Sequence, residues 1–139
     1  MNLDALTREL TRDEGVRLKP YRDSVGKLTI GIGRNLDDVG ISRAEAEHLL
    51  HNDIAEAMLA LDRALPWWRT LDEIRQRVIA NMAFNMGTVK LLTFKNTLRS
   101  VQSGDYLAAA QGMLASKWAK QVGPRAERLA LMMRDGGDK

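Results

Sequence analysis

Segment 13–33 changes from a helical to a strand-like residue pattern, and this change restricts the folds open to the chain. Before it, leucines at helical spacing follow a capping residue, Asn2, and Gly15 ends the helix that they predict. After it, β-forming residues recur at close to every second position, at Tyr21, Val25, Thr29, Ile30 and Ile32. Turn chemistry at residues 24–26 lies among them. The sequence therefore predicts a helix, a glycine break and a tight β-hairpin in succession.

The same segment carries two carboxylates and a hydroxyl. Eight residues separate Glu14 from Asp23, and five separate Asp23 from Thr29. The predicted hairpin folds these groups back towards one another. Two carboxylates that face a common cleft are the minimum needed to cleave a glycosidic bond. Taken singly, each residue also has an ordinary role, as a solvated helix-end acid, a turn former and a strand residue.

The remainder of the chain has helical patterns. Two sequences with Ser or Thr three residues before Glu have capping-box spacing and open the predicted long helices, at Ser42–Glu45 and Thr70–Glu73. The first of these helices stops at Pro66 and the second at Gly87. Shorter helices are predicted at about 94–101, 106–115 and 125–134.

These patterns predict a single domain over residues 1–139, of α+β class and mostly helical. A small β-containing lobe covers about 15–41, and a long connecting helix covers about 42–65. A larger helical lobe covers about 66–135 together with the amino-terminal helix 2–14. A cleft between two such lobes is a natural ligand site.

Composition excludes several classes of protein. Hydrophobic residues make up 45% of the 139 residues and charged residues 28%, which is typical of a globular domain. The chain has no cysteine, so disulfides and thiolate metal sites are excluded. Its start lacks the pattern of a secretory signal, and no apolar run reaches the roughly 20 residues that span a bilayer. The net charge of +3 is dispersed, which argues against nucleic-acid binding. Neither a metal nor a cofactor is expected.

Seven ordered segments resemble the phage-type lysozymes of glycoside hydrolase family 24. They are Asp13-Glu14-Gly15, Tyr21-Arg22-Asp23, Thr29–Gly33, Asn81–Gly87, Phe94–Arg99, Ser116-Lys117-Trp118 and Arg125–Arg128. They come in the order found in that family and cover nearly the whole chain, and the spacing of Glu14, Asp23 and Thr29 equals the family's. The resemblance implies a lysozyme-like fold.

The resemblance also implies a role for each matched residue. Glu14 would be the general acid, Asp23 the base that activates a water, and Thr29 the group that holds this water. Arg125 would lie near Glu14 and orient it. An acid in this role must stay protonated, which burial in an apolar cleft promotes. Three further residues fall where family members line the saccharide cleft, at Asn35, Phe84 and Thr97.

The chain departs from the family at three places. Arg34 stands where a relative has histidine, and we predict that it forms an ion pair with Asp53 on the long helix. The loop at 35–41 is short, which leaves the third strand of the sheet undecided. Gly112 replaces a polar residue of the cleft, so one substrate contact is expected to be missing.

The expected function is that of a monomeric, cofactor-free muramidase. It would hydrolyse the β-1,4 bond between N-acetylmuramic acid and N-acetylglucosamine in peptidoglycan. As an endolysin it would be made in the host cytoplasm and reach the periplasmic wall after a holin opens the inner membrane. A lytic transglycosylase, which needs one Glu but no water-activating Asp, is the enzymatic alternative. A non-catalytic peptidoglycan-binding module is the other alternative, and membrane permeabilisation by helix 125–134 would be an accessory trait.

Overall fold

The computed structural model describes residues Met1–Lys139. Its elements in chain order are α1 Leu3–Glu14, β1 Arg17–Arg22, β2 Leu28–Gly31, β3 Arg34–Asn35, α2 Arg43–Ala64, a 3₁₀ turn Trp68–Thr70, α3 Glu73–Met86, α4 Thr88–Leu91, α5 Lys95–Ser103, α6 Tyr106–Leu114, α7 Lys117–Val122 and α8 Pro124–Asp135. Eight helices and one small sheet confirm the predicted α+β, mostly helical class. The chain forms two compact units, Met1–Leu49 and Leu50–Lys139.

The first unit begins with helix α1, and local hydrogen bonds define both of its ends. The side chain of Asn2 accepts a hydrogen bond from the Ala5 amide at 2.9 Å and so caps the amino terminus. At the other end, the N–H of Gly15 donates to the Thr11 carbonyl at 2.9 Å. Glu14 is therefore the last residue of the helix, immediately before the chain turns into β1.

The sheet of the first unit is antiparallel, in the order β1-β2-β3. Tyr21 on β1 lies opposite Thr29 on β2, and Thr29 lies opposite Asn35 on β3. The third strand, which the sequence leaves undecided, is thus present but only two residues long. Thr29 occupies the middle of the sheet and is 3% exposed.

The predicted partner of Arg34 is wrong, because Arg34 pairs with Glu45 and not with Asp53. Its Nη1 lies 2.8 Å from Glu45 Oε1 and 3.1 Å from the Gly40 carbonyl oxygen. Glu45 also accepts from the Ser42 amide at 2.9 Å, while its own amide donates to the Ser42 hydroxyl at 3.1 Å. This reciprocal capping box fixes Glu45 at the start of α2, about two helical turns before Asp53.

The second unit is helical and contains a continuous apolar core. Helices α6 and α8 make its most extensive helix–helix contact. Methionines contribute to this core, since Met82, Met113 and Met133 are all nearly inaccessible. Large side chains that are fully buried with them include Leu61, Trp68, Ile79, Trp118 and Leu129.

Helix α3 begins later than its sequence signal predicts. Its cap is Asp72, whose side chain accepts from the Arg75 amide at 3.0 Å. Thr70 belongs instead to the preceding 3₁₀ turn, where its hydroxyl donates to the Trp67 carbonyl at 2.6 Å. No helix of the chain combines the length and apolar character that spanning a bilayer requires.

Candidate active site

The carboxyl group of Glu14 lies directly over the backbone of Gly33. A Cβ atom added to Gly33 would fall 2.8 Å from Glu14 Oε2 and 2.9 Å from its Cδ. Gly33 also has φ +74°, a conformation that L side chains rarely adopt. The positive φ favours glycine here, and a side chain at this position would displace the end of the Glu14 side chain.

Glu14 is exposed in the structure. It ends a helix in which no residue is buried. The expectation that an apolar cleft between the lobes shields this side chain stays a prediction. The carboxyl lies against the backbone of Gly33 and stays open to water.

Asp23 forms the hairpin turn that its position predicts. Its Oδ1 accepts from the amides of Val25 at 3.0 Å and Lys27 at 2.8 Å. Its carbonyl accepts from the Gly26 amide at 3.0 Å, which closes the turn. The carboxylate is half-buried and held through one oxygen, so Oδ2 is left for other partners.

Thr29 is linked to Asp23 through the peptide groups of Lys27. The Thr29 hydroxyl donates to the Lys27 carbonyl at 2.9 Å, and the Lys27 amide donates to Asp23 Oδ1 at 2.8 Å. Because a hydroxyl has one proton, the Thr29 oxygen keeps only its acceptor capacity. The Thr29 hydroxyl and the Asp23 carboxylate are thus both hydrogen-bonded to the backbone of Lys27, the first to its carbonyl and the second to its amide.

Side chains of the loop after β3 bond to this hairpin, in contacts that the sequence did not predict. The Lys27 ammonium lies 3.1 Å from Asp38 Oδ1, a hydrogen bond that raises the pKa of Lys27. Asp37 Oδ2 accepts from the Leu28 amide at 2.8 Å. Charge in the loop 35–41 is the only sequence signal for these contacts.

Asn35 has a structural role besides the predicted substrate contact. Its Nδ2 donates to Asp38 Oδ2 at 3.0 Å, and its Oδ1 accepts from the Asp38 amide at 2.9 Å. Both ends of the amide are therefore engaged in the loop. Its register opposite Thr29 nevertheless brings it next to the hairpin residues.

Two of the predicted site residues share a groove in the second unit. Phe84 and Arg125 both line this groove, which has a volume of about 620 Å³. Phe84 is 43% exposed and is therefore no part of the core. The Arg125 guanidinium is held by Asn81 Oδ1, at 3.0 Å from Nε and 2.7 Å from Nη2. Asn81 thus sets the orientation of the Arg125 guanidinium, a contact that the sequence did not predict, although Asn81 opens one of the matched segments.

Thr97 lies in a different pocket of the second unit, so the structure separates it from Phe84. This pocket is also lined by Gly112 and by Trp118. Trp118 is 2% exposed and its indole N–H donates to Asn85 Oδ1 at 2.8 Å, so it belongs to the core.

The phage lysozyme family model matches residues 11–134, a range that includes every candidate residue from Glu14 to Arg125. The chain belongs to the phage lysozyme family. The family gives its coarse activity, that of a lysozyme-type glycoside hydrolase acting on peptidoglycan.

The relatives of this chain include proteins of a cellular organism and of phages. It is 30% identical to a probable T4-type lysozyme 1 of Dictyostelium discoideum, over 91% of this chain and 92% of that one. It is 30% identical to an endolysin of Acyrthosiphon pisum secondary endosymbiont phage 1, over 94% of this chain and 89% of that one. It is 28% identical to the pre-baseplate central spike protein Gp5 of Enterobacteria phage T4, where the match covers 95% of this chain but only 28% of the spike protein.

Proposed function

We propose that the protein is an endolysin that hydrolyses the β-1,4 bond between N-acetylmuramic acid and N-acetylglucosamine in peptidoglycan. The observation that carries this proposal is a pair of carboxylates within one small unit. Glu14 lies against Gly33, and Asp23 is held by the amides of the hairpin turn. Family membership supports the same reaction class.

In the proposed reaction, Glu14 is the general acid. Its carboxyl proton passes to the bridging oxygen as the bond from that oxygen to the anomeric carbon breaks. The carboxyl is solvated in the free chain, so the bound saccharide has to exclude water from it. Desolvation disfavours the charged form of a carboxyl group and so keeps the transferable proton in place.

Asp23 is the proposed base. Its Oδ1 is occupied by two amide donors, so Oδ2 accepts a proton from the attacking water. The acceptor oxygen of Thr29 takes the other hydrogen bond of that water. The water oxygen then bonds to the anomeric carbon on the face opposite the leaving group, which inverts the configuration. An inverting pair needs roughly 6.5–9.5 Å between its carboxyl groups to admit the water.

The proposed setting is lysis of a bacterial host. The protein would act as a monomer without a cofactor, after release from the host cytoplasm through a membrane opened by a holin. The support for this setting is the endolysin among its relatives.

Turbidity of chloroform-treated Gram-negative cells tests the proposal with Glu14→Gln. This change keeps the shape of the side chain but removes the transferable proton, so clearing should slow by about 10²–10⁴-fold. The matched control is Glu9→Gln on the same exposed helix, which should clear at the parent rate. Products of the parent should carry ordinary reducing ends. 1,6-Anhydro ends would instead indicate a transglycosylase, and pelleting with peptidoglycan without clearing would indicate a binding module.

A further inference from the structure

Two successive peptide groups of the hairpin hold the proposed base and the neighbouring hydroxyl. The first group joins Gly26 to Lys27, and its N–H donates to Asp23 Oδ1 at 2.8 Å. The second group joins Lys27 to Leu28. Its carbonyl accepts from the Thr29 hydroxyl at 2.9 Å and from the Asp23 amide at 2.9 Å. Because a peptide group is planar, its orientation decides where these donors and acceptors point.

The other side of each peptide group is bonded to a charged side chain. The Gly26 carbonyl accepts from Arg22 Nη1 at 3.0 Å. The Leu28 N–H donates to Asp37 Oδ2 at 2.8 Å. The same two atoms of Arg22 and Asp37 lie 4.0 Å from each other. Each peptide group is thus hydrogen-bonded at both its C=O and its N–H, and it cannot rotate without breaking one of these bonds.

The contact of Asp37 follows from the shortness of the third strand. The Leu28 carbonyl accepts from the Leu36 amide at 2.7 Å, whereas the Leu28 N–H is bonded to the Asp37 side chain. Strand β3 ends at Asn35, so a side chain of the following loop takes this N–H. The Asp37 side chain is 43% exposed, and its removal therefore opens no cavity in a core.

We propose that Asp37 and Arg22 are positioning residues for the proposed reaction. This inference rests on the proposed function. Asp37 keeps the Lys27 carbonyl turned towards the Thr29 hydroxyl, so the hydroxyl oxygen stays free to accept from the attacking water. In the same way, Arg22 keeps the Lys27 N–H on Asp23 Oδ1, which leaves Oδ2 for the proton of the water. This role needs no contact between either side chain and the saccharide.

The first test substitutes Asp37 in two ways. Asp37→Ala removes the acceptor of the Leu28 N–H, so kcat on peptidoglycan should fall by about 3–10-fold while KM stays within about twofold. Asp37→Asn keeps an acceptor oxygen and loses only the charge, so most of kcat should be retained. If Asp37→Asn loses as much kcat as Asp37→Ala does, the charge matters instead of the peptide contact, and the inference is overturned.

A double-mutant cycle with Thr29→Val separates positioning from a general effect on folding. In Thr29→Val the hydroxyl on which Asp37 acts is gone, so Asp37→Ala should lower kcat no further. Independent effects would instead multiply. Each kcat is measured below the melting temperature of that variant, so that unfolded protein does not contribute. An equal loss from Asp37→Ala in both backgrounds would show that Asp37 does not act through Thr29.

Arg22→Ala tests the other side chain. It should also lower kcat by about 3–10-fold, because the Gly26 carbonyl loses its donor. The matched control is Lys19→Ala, which removes a positive charge from the same strand. The exposed Lys19 side chain makes no hydrogen bond or ion pair, so this variant should cleave at the parent rate. Equal losses in the two variants would assign the effect to the charge of β1 and overturn this part of the inference.

Amide hydrogen exchange locates the effect without an activity assay. The Leu28 N–H should exchange faster in Asp37→Ala than in the parent, and the amide signals of residues 23–29 should shift. Unchanged exchange and unchanged signals would contradict the proposed contact.

The outcomes distinguish this inference from the proposed function. A parent that does not cleave peptidoglycan, or Asp23→Asn at the parent rate, would refute the proposed function. If the parent cleaves and Asp23→Asn does not, but Asp37→Ala and Arg22→Ala both keep the parent's kcat, only the positioning role is overturned.

Discussion

The Glu14 carboxyl and the Cα of Gly33 are packed so closely that a side chain at position 33 would displace the carboxyl. The clearance at that position is 2.8 Å from Glu14 Oε2 to an added Cβ atom. The last residue of α1 and a residue just past β2 are thereby in contact. The absence of a side chain at Gly33 leaves room for the carboxyl in this position.

Gly33→Ala should displace the Glu14 carboxyl and lower activity. A shift of about 1 Å in a reacting group can cost on the order of 10²-fold in rate. The positive φ adds a folding penalty of about 1–2 kcal/mol. The control is Gly40→Ala, which has φ +66° but no contact closer than 4.0 Å, so it carries the penalty without the clash. Equal activity of the two folded variants in a turbidity assay would contradict this role of Gly33.

Asp23→Asn and Asp23→Ala should separate the turn from catalysis. The amide oxygen of Asn can still accept from Val25 and Lys27, so thermal stability should stay close to that of the parent. Activity should nevertheless fall by about 10²–10⁴-fold, because an amide is no base. Ala should lose the same activity and also about 1–2 kcal/mol of stability, since the turn amides lose their acceptor. Retained activity in Asp23→Asn would rule out the base role.

Thr29→Ser and Thr29→Val should differ in rate more than in stability. Serine keeps an acceptor oxygen and the hydrogen bond to the Lys27 carbonyl. Valine keeps the volume but removes both, so kcat should fall by about tenfold or more if this oxygen positions the water. Thermal melts of the two variants show whether folding accounts for the loss.

The Arg34–Glu45 pair should make the stability of the first unit depend on pH. The hydrogen bond from Arg34 is the main cause that lowers the pKa of Glu45 from 4.5 to about 2. Between these values the unfolded chain binds more protons than the folded one, so stability rises with pH. The contribution is present above about pH 4.5 and is lost as the pH falls through about 2. A double-mutant cycle with Arg34→Gln and Glu45→Gln should give a clearly larger coupling in the melting temperature at pH 7 than at pH 2.

Local signals predicted much of this fold. The cap at Asn2, the capping box at Ser42 and the stop at Pro66 involve residues within one turn of each other, so sequence spacing determines them. The same holds for the turn at Asp23. The start of α3 was mispredicted because Asp72 offers a cap closer to the helix than Thr70 does.

Contacts between distant residues were harder to predict. Arg34 pairs with Glu45, which the capping box with Ser42 fixes at the start of α2. The separate pockets of Thr97 and Phe84 depend on how α3, α5 and α6 pack, which the spacing within each helix does not specify. The exposure of Glu14 is also hard to predict, because it depends on whether other parts of the chain cover helix α1.

The last prediction concerns Arg125 and its partner Asn81. It separates two effects of Arg125 on Glu14, which are orientation of the carboxyl and the influence of positive charge. Asn81 Oδ1 receives two N–H donors from the guanidinium and so fixes its plane. The family resemblance places Arg125 near Glu14, and this stays a prediction. If orientation matters, Arg125→Lys should lose activity as Arg125→Ala does, because an ammonium cannot reproduce the two-donor contact. The pH–rate limb governed by Glu14 should then stay in place in both variants. A limb that moves upward in Arg125→Ala but not in Arg125→Lys would show that positive charge is the property that counts.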